Sequence, residues 1–478
     1  MSNQEEEPKK EAEKADSVEK RSEDEEYDPY KYRDGHLGTS IAFFHLVKSS
    51  IGAGILSMPF GFKTTGMIAG FIVGISVAAF VIFSFLVMIK TMVKVAKELK
   101  VPHVTLQEAA AYVMEHSCER AAKYSKTLEI TIDAMLILNY VGTCASYYNY
   151  IIICTLTISG YKQYAEGAVN SYRAVAAGLW FLPLFSVNCV RGLRKMAPIS
   201  ILGNVLIMGS MIVVCYFIFK PDSKGFSDTW TYFATFETTP LFVGMMVFSI
   251  GSIGVGIAIE RDMKNARKFG GLLGIYNVSM TFVVIVYLFI ACVGYWKYGE
   301  DTRSTIVLTL QSDSFEWLVI FVQVAVGFAL FLSYPLMCFV LFDIVWFNKI
   351  IPKLEEKNMG KKKQLMWEYL FRLGITALTG VVALLVPRLD VTLSLIGALA
   401  LGFLSLIMPG ILEFNFTYGK HQWRKPLVLY KDIGIMVIGF LCLMIGTYSA
   451  LYSLIIESQK GPPEEADNST ALFDEFSF

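Results

Sequence analysis

Between His45 and Pro59 the sequence reads HLVKSSIGAGILSMP, a combination of groups that seldom share one apolar run. A histidine and a lysine stand about one helical turn apart, followed by paired serines and two glycines. The run that holds them, Ile41 to Phe62, is long enough to cross a bilayer. In hydrocarbon every backbone N–H and C=O needs a partner, so a helix is interrupted only where protein or a water-filled cavity satisfies the freed groups. Ser49, Ser50, Ile51, Gly52, Ala53 and Gly54 therefore read as a break in a membrane helix. The alternative is a stripe of small residues that lets two helices pack closely.

A second stretch favours the break. Ser50-Ile51-Gly52-Ala53-Gly54 recurs as Ser252-Ile253-Gly254-Val255-Gly256, with Ser249-Ile250-Gly251 just before it. An odd number of spans separates the two starts, so the helices run in opposite directions. Paired Gly-interrupted segments at corresponding places of two inverted halves point to a transporter binding site. The half-helix N-termini suit a carboxylate, and the freed carbonyls suit an ammonium group. A zwitterion with both charges close together, an amino acid or a small relative, fits such a site.

The elements that must position these residues follow from composition. The chain has 478 residues, 54% hydrophobic and 18% charged, with a mean hydropathy of +0.49. Repeated windows reach the length of a bilayer span, which makes this an all-α polytopic membrane protein. Eleven apolar segments are expected: Ile41–Phe62, Ala69–Ile89, Leu128–Ile158, Ala174–Val190, Ala197–Phe219, Pro240–Ile259, Leu272–Tyr295, Phe315–Phe347, Trp367–Val386, Val391–Leu412 and Ile433–Ile456. The first ten form two five-helix repeats with helices 1 and 6 broken, and the eleventh is an addition.

Alternate loops hold 24 Lys and Arg and the others about a third as many, which places the N-terminus in the cytoplasm. The expected organisation is a disordered cytoplasmic tail over 1–37, a first repeat over 38–219 and an inverted second repeat over 220–416. A cytoplasmic loop and eleventh helix occupy 417–456, and an extracellular or lumenal tail occupies 457–478. Asn468, in an Asn-Ser-Thr sequon on that tail, is the expected glycosylation site. The eight cysteines have no metal-ligand spacing and read as small apolar residues.

Histidine changes charge near physiological pH, and an ionisable residue inside a span is functional by default. His45 is therefore the expected proton-coupling residue. Lys48 either faces it or snorkels to the interface. Asp133 and Asp343 lie towards cytoplasmic ends, where carboxylates pair with loop cations or form a gating salt bridge, and Glu260 and Glu413 read as solvated helix ends, with an inner gate as the alternative. Only His45 of the five histidines lies in a span, so no convergent catalytic set is visible and an enzyme is not expected. No cofactor is implied beyond a coupling ion, a proton or else sodium. The implied partners are an amino acid and the lipid bilayer, without nucleic acid, and no protein partner is legible. A nutrient sensor signalling through its tails is the other functional class left open.

At these residues the chain resembles the amino acid/auxin permease family, most closely its proton-coupled amino acid transporter branch. The motifs that carry the resemblance are His45 through Leu56 with Pro59, then Ile253-Gly254-Val255 with Glu260, Met263 and Lys264. Gly294-Tyr295, Tyr298-Gly299, Ser333-Tyr334-Pro335-Leu336, Ser394 through Ala398, Pro409 and Glu413 follow in order. The resemblance covers about Gly38 to Leu454 and implies the inverted-repeat, LeuT-like fold. It also implies uptake or lysosomal export of small neutral amino acids with protons, at the plasma membrane or a lysosome. Tyr334, inside a family-like motif, joins the expected substrate site with Ser49–Gly54, Ser249–Ser252 and Gly254. Two departures stand out: Ile250-Gly251 replaces an aromatic-Glu pair, and Ala53 replaces a polar residue. Both predict a roomier, less polar pocket open to larger apolar side chains.

Overall fold

The computed structural model describes residues 27–33, 35–161, 170–190, 193–220, 227–271, 273–310, 316–356, 360–419 and 426–459. The first span divides into α1 (Thr39–Ser50) and α2 (Gly54–Thr65), bent by 58° at the residues between them. Gly66 joins α2 to α3 (Met67–Glu98) at φ +88°, a turn that L side chains rarely adopt; its Cβ would lie 2.7 Å from the Ala234 amide. A short amphipathic α4 (Leu106–Glu115) follows, opened by a capping box between Thr105 and Glu108. Next come α5 (Ser125–Ile158), α6 (Ser171–Asn188) and α7 (Leu193–Phe219).

The sixth span is interrupted as well, into α8 (Thr239–Ile250) and α9 (Ile253–Asp262), with Gly251 and Ser252 between them. α10 (Ile275–Tyr298) and α11 (Glu316–Phe342) follow, the latter continued by π-helix over Asp343–Ile350. α12 (Lys361–Leu385) leads to a continuous run of α13 (Leu389–Ile396), π-helix (Gly397–Ile407) and α14 (Met408–Gly419). α15 (Pro426–Gln459) closes the series.

The contacts carry the inverted repeat. α2 packs along α8 and α1 along α9, so the first half of each broken span meets the second half of the other. That pairing is antiparallel. The first span also packs on the seventh (α10) and the second (α3) on the sixth. The third (α5) packs on the ninth (α12) and tenth (α13), and the eighth (α11) packs on the fourth (α6) and fifth (α7). Exchanging each of the first five spans for the one five later turns each of these pairs into another pair in contact. α15 packs outside this set, on α14, α13 and α8.

Among the described residues eight helices are long and apolar enough to cross a membrane, or nine when α1 and α2 count as one span. The expected fourth and fifth spans correspond to α6 and α7, of which Val205–Phe219 is a shorter apolar helix. The tail differs from expectation. Pro29–Tyr32 forms a 3-10 turn capped by Asp28, and Leu37 bridges to Met263 at the end of α9.

Candidate functional site

The two breaks touch. A Cβ on Gly54 would lie 2.3 Å from Ser249 Oγ, so only glycine allows α2 to start this close to α8. The Ser249 hydroxyl is turned into its own helix, donating to the Met245 carbonyl at 2.8 Å. At the other break, the Ser50 carbonyl, freed by the end of α1, accepts a hydrogen bond from the Tyr287 hydroxyl of α10. Each freed group that is satisfied this way is one less for hydrocarbon to penalise.

A cavity of about 110 Å³ opens between the breaks. Ser49, Ser50, Gly52, Ala53 and Gly54 form one wall, and Phe248, Ser249 and Gly251 through Val255 form the opposite one. The first N–H groups of α2 and α9 have no carbonyl a turn earlier in their own helices, and both helix starts border this space. A third wall comes from α5, whose Leu136, Asn139, Tyr140, Thr143 and Tyr147 fall on one helical face. The Asn139 Oδ1 atom is buried without a hydrogen-bond partner. No lining residue carries a formal charge. The Ile55, Leu56 and Gly256 amides bond back to Gly52, Ala53 and Ser252; the remaining helix-start amides, with hydroxyls and the Asn139 side chain, define a dipolar site.

The expectation of a roomier pocket turns on the space beside Gly251. That space is filled: a Cβ on Gly251 would meet the Val247 carbonyl oxygen of α8 at 2.6 Å, and Leu401 Cδ1 and Ser405 Oγ of the π-helix at 3.1 and 3.3 Å.

A second cavity of about 180 Å³ adjoins the first, sharing Leu136, Ile253 and Gly254. Arg33 and Glu260 border it, 2.6 Å apart, with side chains 5% and 7% exposed. Arg33 also donates through Nε to the Pro102 carbonyl at 2.6 Å and lies 4.8 Å from the centroid of the Tyr30 ring. Asp28 pairs with Arg267. Burial works to raise the Asp28 pKa, yet the Tyr30 amide and Arg267 hold it below the ordinary carboxylate value. Glu260 is thus no solvated helix end but a buried group strapped by the N-terminal segment.

The expected residues divide cleanly. Ser49, Ser50, Gly52, Ala53, Gly54, Ser249, Gly251, Ser252 and Gly254 line the cavity. Ile51 and Ile250 are buried in packing at 4% and 0% exposure. Tyr334 is a correction: it is fully buried and its hydroxyl bonds Thr379 Oγ1 at 2.8 Å, while Met337, about a turn further along α11, faces the cavity. His45 is exposed, lies outside the cavity lining, and stands one turn before Ser49. Asp133 pairs with a cation, Lys349, at 2.6 Å, but that lysine stands in the π-helix Asp343–Ile350 and not in a loop. Glu413, expected to be solvated, is only 13% exposed and contacts Lys431. Asn468 lies outside the described residues.

Asn139, Tyr140, Thr143 and Phe248 were not anticipated. The first three carry a signal, polar groups spaced by three and four residues within an apolar run.

Residues 36–452 match the family described as transmembrane amino acid transporter protein. The chain is similar to the proton-coupled amino acid transporter-like protein pathetic of Drosophila melanogaster, 27% identical over 90% of this chain and 88% of that one. It is also similar to amino acid transporter AVT3B of Arabidopsis thaliana, 24% identical over 87% of this chain and 93% of that one. Among solved structures, Mhp1, a nucleobase-cation-symport-1 family transporter, matches with a TM-score of 0.44 and 15% identity, over 91% of this chain and 95% of its own. MhsT in complex with L-phenylalanine matches with a TM-score of 0.35 and 12% identity, over 87% of this chain and 98% of its own.

Proposed function

The chain belongs to the transmembrane amino acid transporter family, and from that premise we propose that it moves small neutral amino acids together with protons. Amino acid transport by a multi-pass membrane protein, and not an enzymatic activity, is what the family establishes. The finer reading rests on one observation: two helix starts and no charged side chain border a cavity of about 110 Å³. A substrate carboxylate lies against the N–H groups of α2 and α9, where the helix dipoles favour negative charge. Its ammonium group meets the hydroxyls and carbonyls beside Ser49 and Ser50. The side chains packed beside Gly251 favour small substrates in this reading.

His45 carries the coupling proton in this reading. It is supported by the residue's place, one turn from Ser49 on the exposed face of α1, and by the chemistry of imidazole. The N-terminal side faces the cytoplasm, as the basic loops require. Arg33 and Glu260 then form the inner closure, below the second cavity.

Reconstitution of the purified chain in liposomes tests this. Radiolabelled alanine uptake is measured with and without an inward proton gradient, with and without sodium, for wild type and His45→Ala. Gradient-driven uptake that needs no sodium and is lost in His45→Ala is expected. Uptake that requires sodium, or a pH dependence untouched by the substitution, overturns the coupling assignment.

A further inference from the structure

Where α14 ends and α15 begins, two carboxylates face a single ammonium group. Glu413 Oε2 lies 2.5 Å from Lys431 Nζ, and Asp432 Oδ1 lies 3.3 Å from the same nitrogen. Asp432 is wholly buried, and neither of its oxygens accepts a hydrogen bond. The nearest further cation is Lys94 of α3, half exposed and 3.9 Å from Glu413 Oε1. α3 also carries Lys90, which is exposed, and Lys97, which is half-buried. Glu98 accepts from Tyr112, Glu108 caps α4, Glu115 accepts from Ser125, and Asp390 pairs with Arg388 at the far end of the tenth span. α8 and the π-helix Gly397–Ile407 carry no charged residue.

A buried carboxylate without hydrogen bonds is costly, and Asp432, whose only near cation among the described residues is the Lys431 it shares with Glu413, does not ionise cheaply while the half-exposed Lys94 reaches Glu413 alone. The inexpensive neutraliser is a proton held between them. We propose that Glu413 and Asp432 form a proton site, in which one exchangeable proton is taken up and released beside Lys431 during the transport cycle. On uptake an O–H bond forms on one carboxyl with a proton from water, and Lys431 then balances the other. On release two negative charges face Lys431, and the corner between α14 and α15 loosens. That corner is continuous with the cavity wall. Leu401 lines the cavity on the same helical run as Glu413, twelve residues away, or roughly 18 Å along the axis.

This site deepens the proton-symport reading and rests on it for its role in transport, so two measurements separate them. The first is an infrared difference titration of the full-length protein in nanodiscs, which reads protonated carboxyl groups directly. A carboxyl band that titrates in wild type and in Asp133→Asn, and is lost in both Asp432→Asn and Glu413→Gln, is expected. A band unchanged in Asp432→Asn and in Glu413→Gln overturns the site. The second is alanine flux in liposomes. Asp432→Asn is expected to retain exchange of alanine across the membrane and to lose at least tenfold of the accumulation driven by a proton gradient. Accumulation equal to wild type overturns the role. Wild-type transport that ignores the gradient overturns the symport reading and this role with it, while the infrared result still decides whether the proton site exists.

Discussion

The Arg33 guanidinium and the Glu260 carboxylate meet at 2.6 Å, both nearly shut off from solvent, although 227 residues separate them in the chain. This pair ties the N-terminal segment to the end of α9, whose first residues border the candidate substrate cavity. Leu37 reinforces the tie, accepting from the Lys264 amide at 3.0 Å and donating to the Asp262 carbonyl at 2.9 Å. Opening on this side must break these contacts together.

Breaking one partner of a buried ion pair leaves the other charge uncompensated, typically at a cost of about 3–5 kcal/mol. Arg33→Ala should therefore bias the protein towards the state open on the N-terminal side. A cysteine placed at Ile257, which lines the second cavity, is expected to react with a water-soluble thiol reagent at least tenfold faster in the Arg33→Ala background. Equal rates would show that the pair does not hold the closure.

Gly54 is predicted to be intolerant of any side chain. With a Cβ 2.3 Å from Ser249 Oγ, Gly54→Ala must push α2 away from α8. Alanine transport should fall by more than tenfold, and adding Ser249→Gly should recover part of it. No rescue by the second change would mean that the clash is not the cause.

Tyr287 is predicted to hold the break in the first span. Removing its hydroxyl leaves the Ser50 carbonyl without that partner, a loss of about 1–3 kcal/mol for a buried group. Tyr287→Phe should lower the thermal unfolding midpoint by several degrees and weaken alanine binding. An unchanged midpoint would show that water replaces the hydroxyl without cost.

The filling of the space beside Gly251 is predicted to limit substrate size. Leu401 Cδ1 would stand 3.1 Å from a Cβ there, so Leu401→Ala should enlarge the cavity and admit leucine-sized substrates. Competition of leucine against radiolabelled alanine is expected to strengthen at least fivefold in this variant. If leucine competes equally well in wild type, the cavity does not discriminate by volume.

Much of this was legible in the sequence because it depends on local backbone chemistry. Gly52 and Gly251 announce breaks within apolar runs and stand in them, Gly54 opens α2, and Gly254 falls one residue inside α9. What depends on distant packing was not legible. Tyr334 sits in a family-like motif, yet its register on α11 turns it to Thr379 and presents Met337 instead. The room that Ile250-Gly251 implied was taken by Leu401 and Ser405 from 150 residues further on. Arg33 lies in a charge-rich tail that reads as solvated, and only the folded chain brings it to Glu260.

The central claim is that the cavity between the two breaks carries a zwitterion. Competition against radiolabelled alanine uptake in liposomes tests it most directly, using alanine, alaninamide and propionate at matched concentrations. The account predicts that alanine competes while alaninamide, lacking the carboxylate, and propionate, lacking the ammonium group, do so at least tenfold more weakly. Competition by either analogue as strong as that of alanine would contradict it.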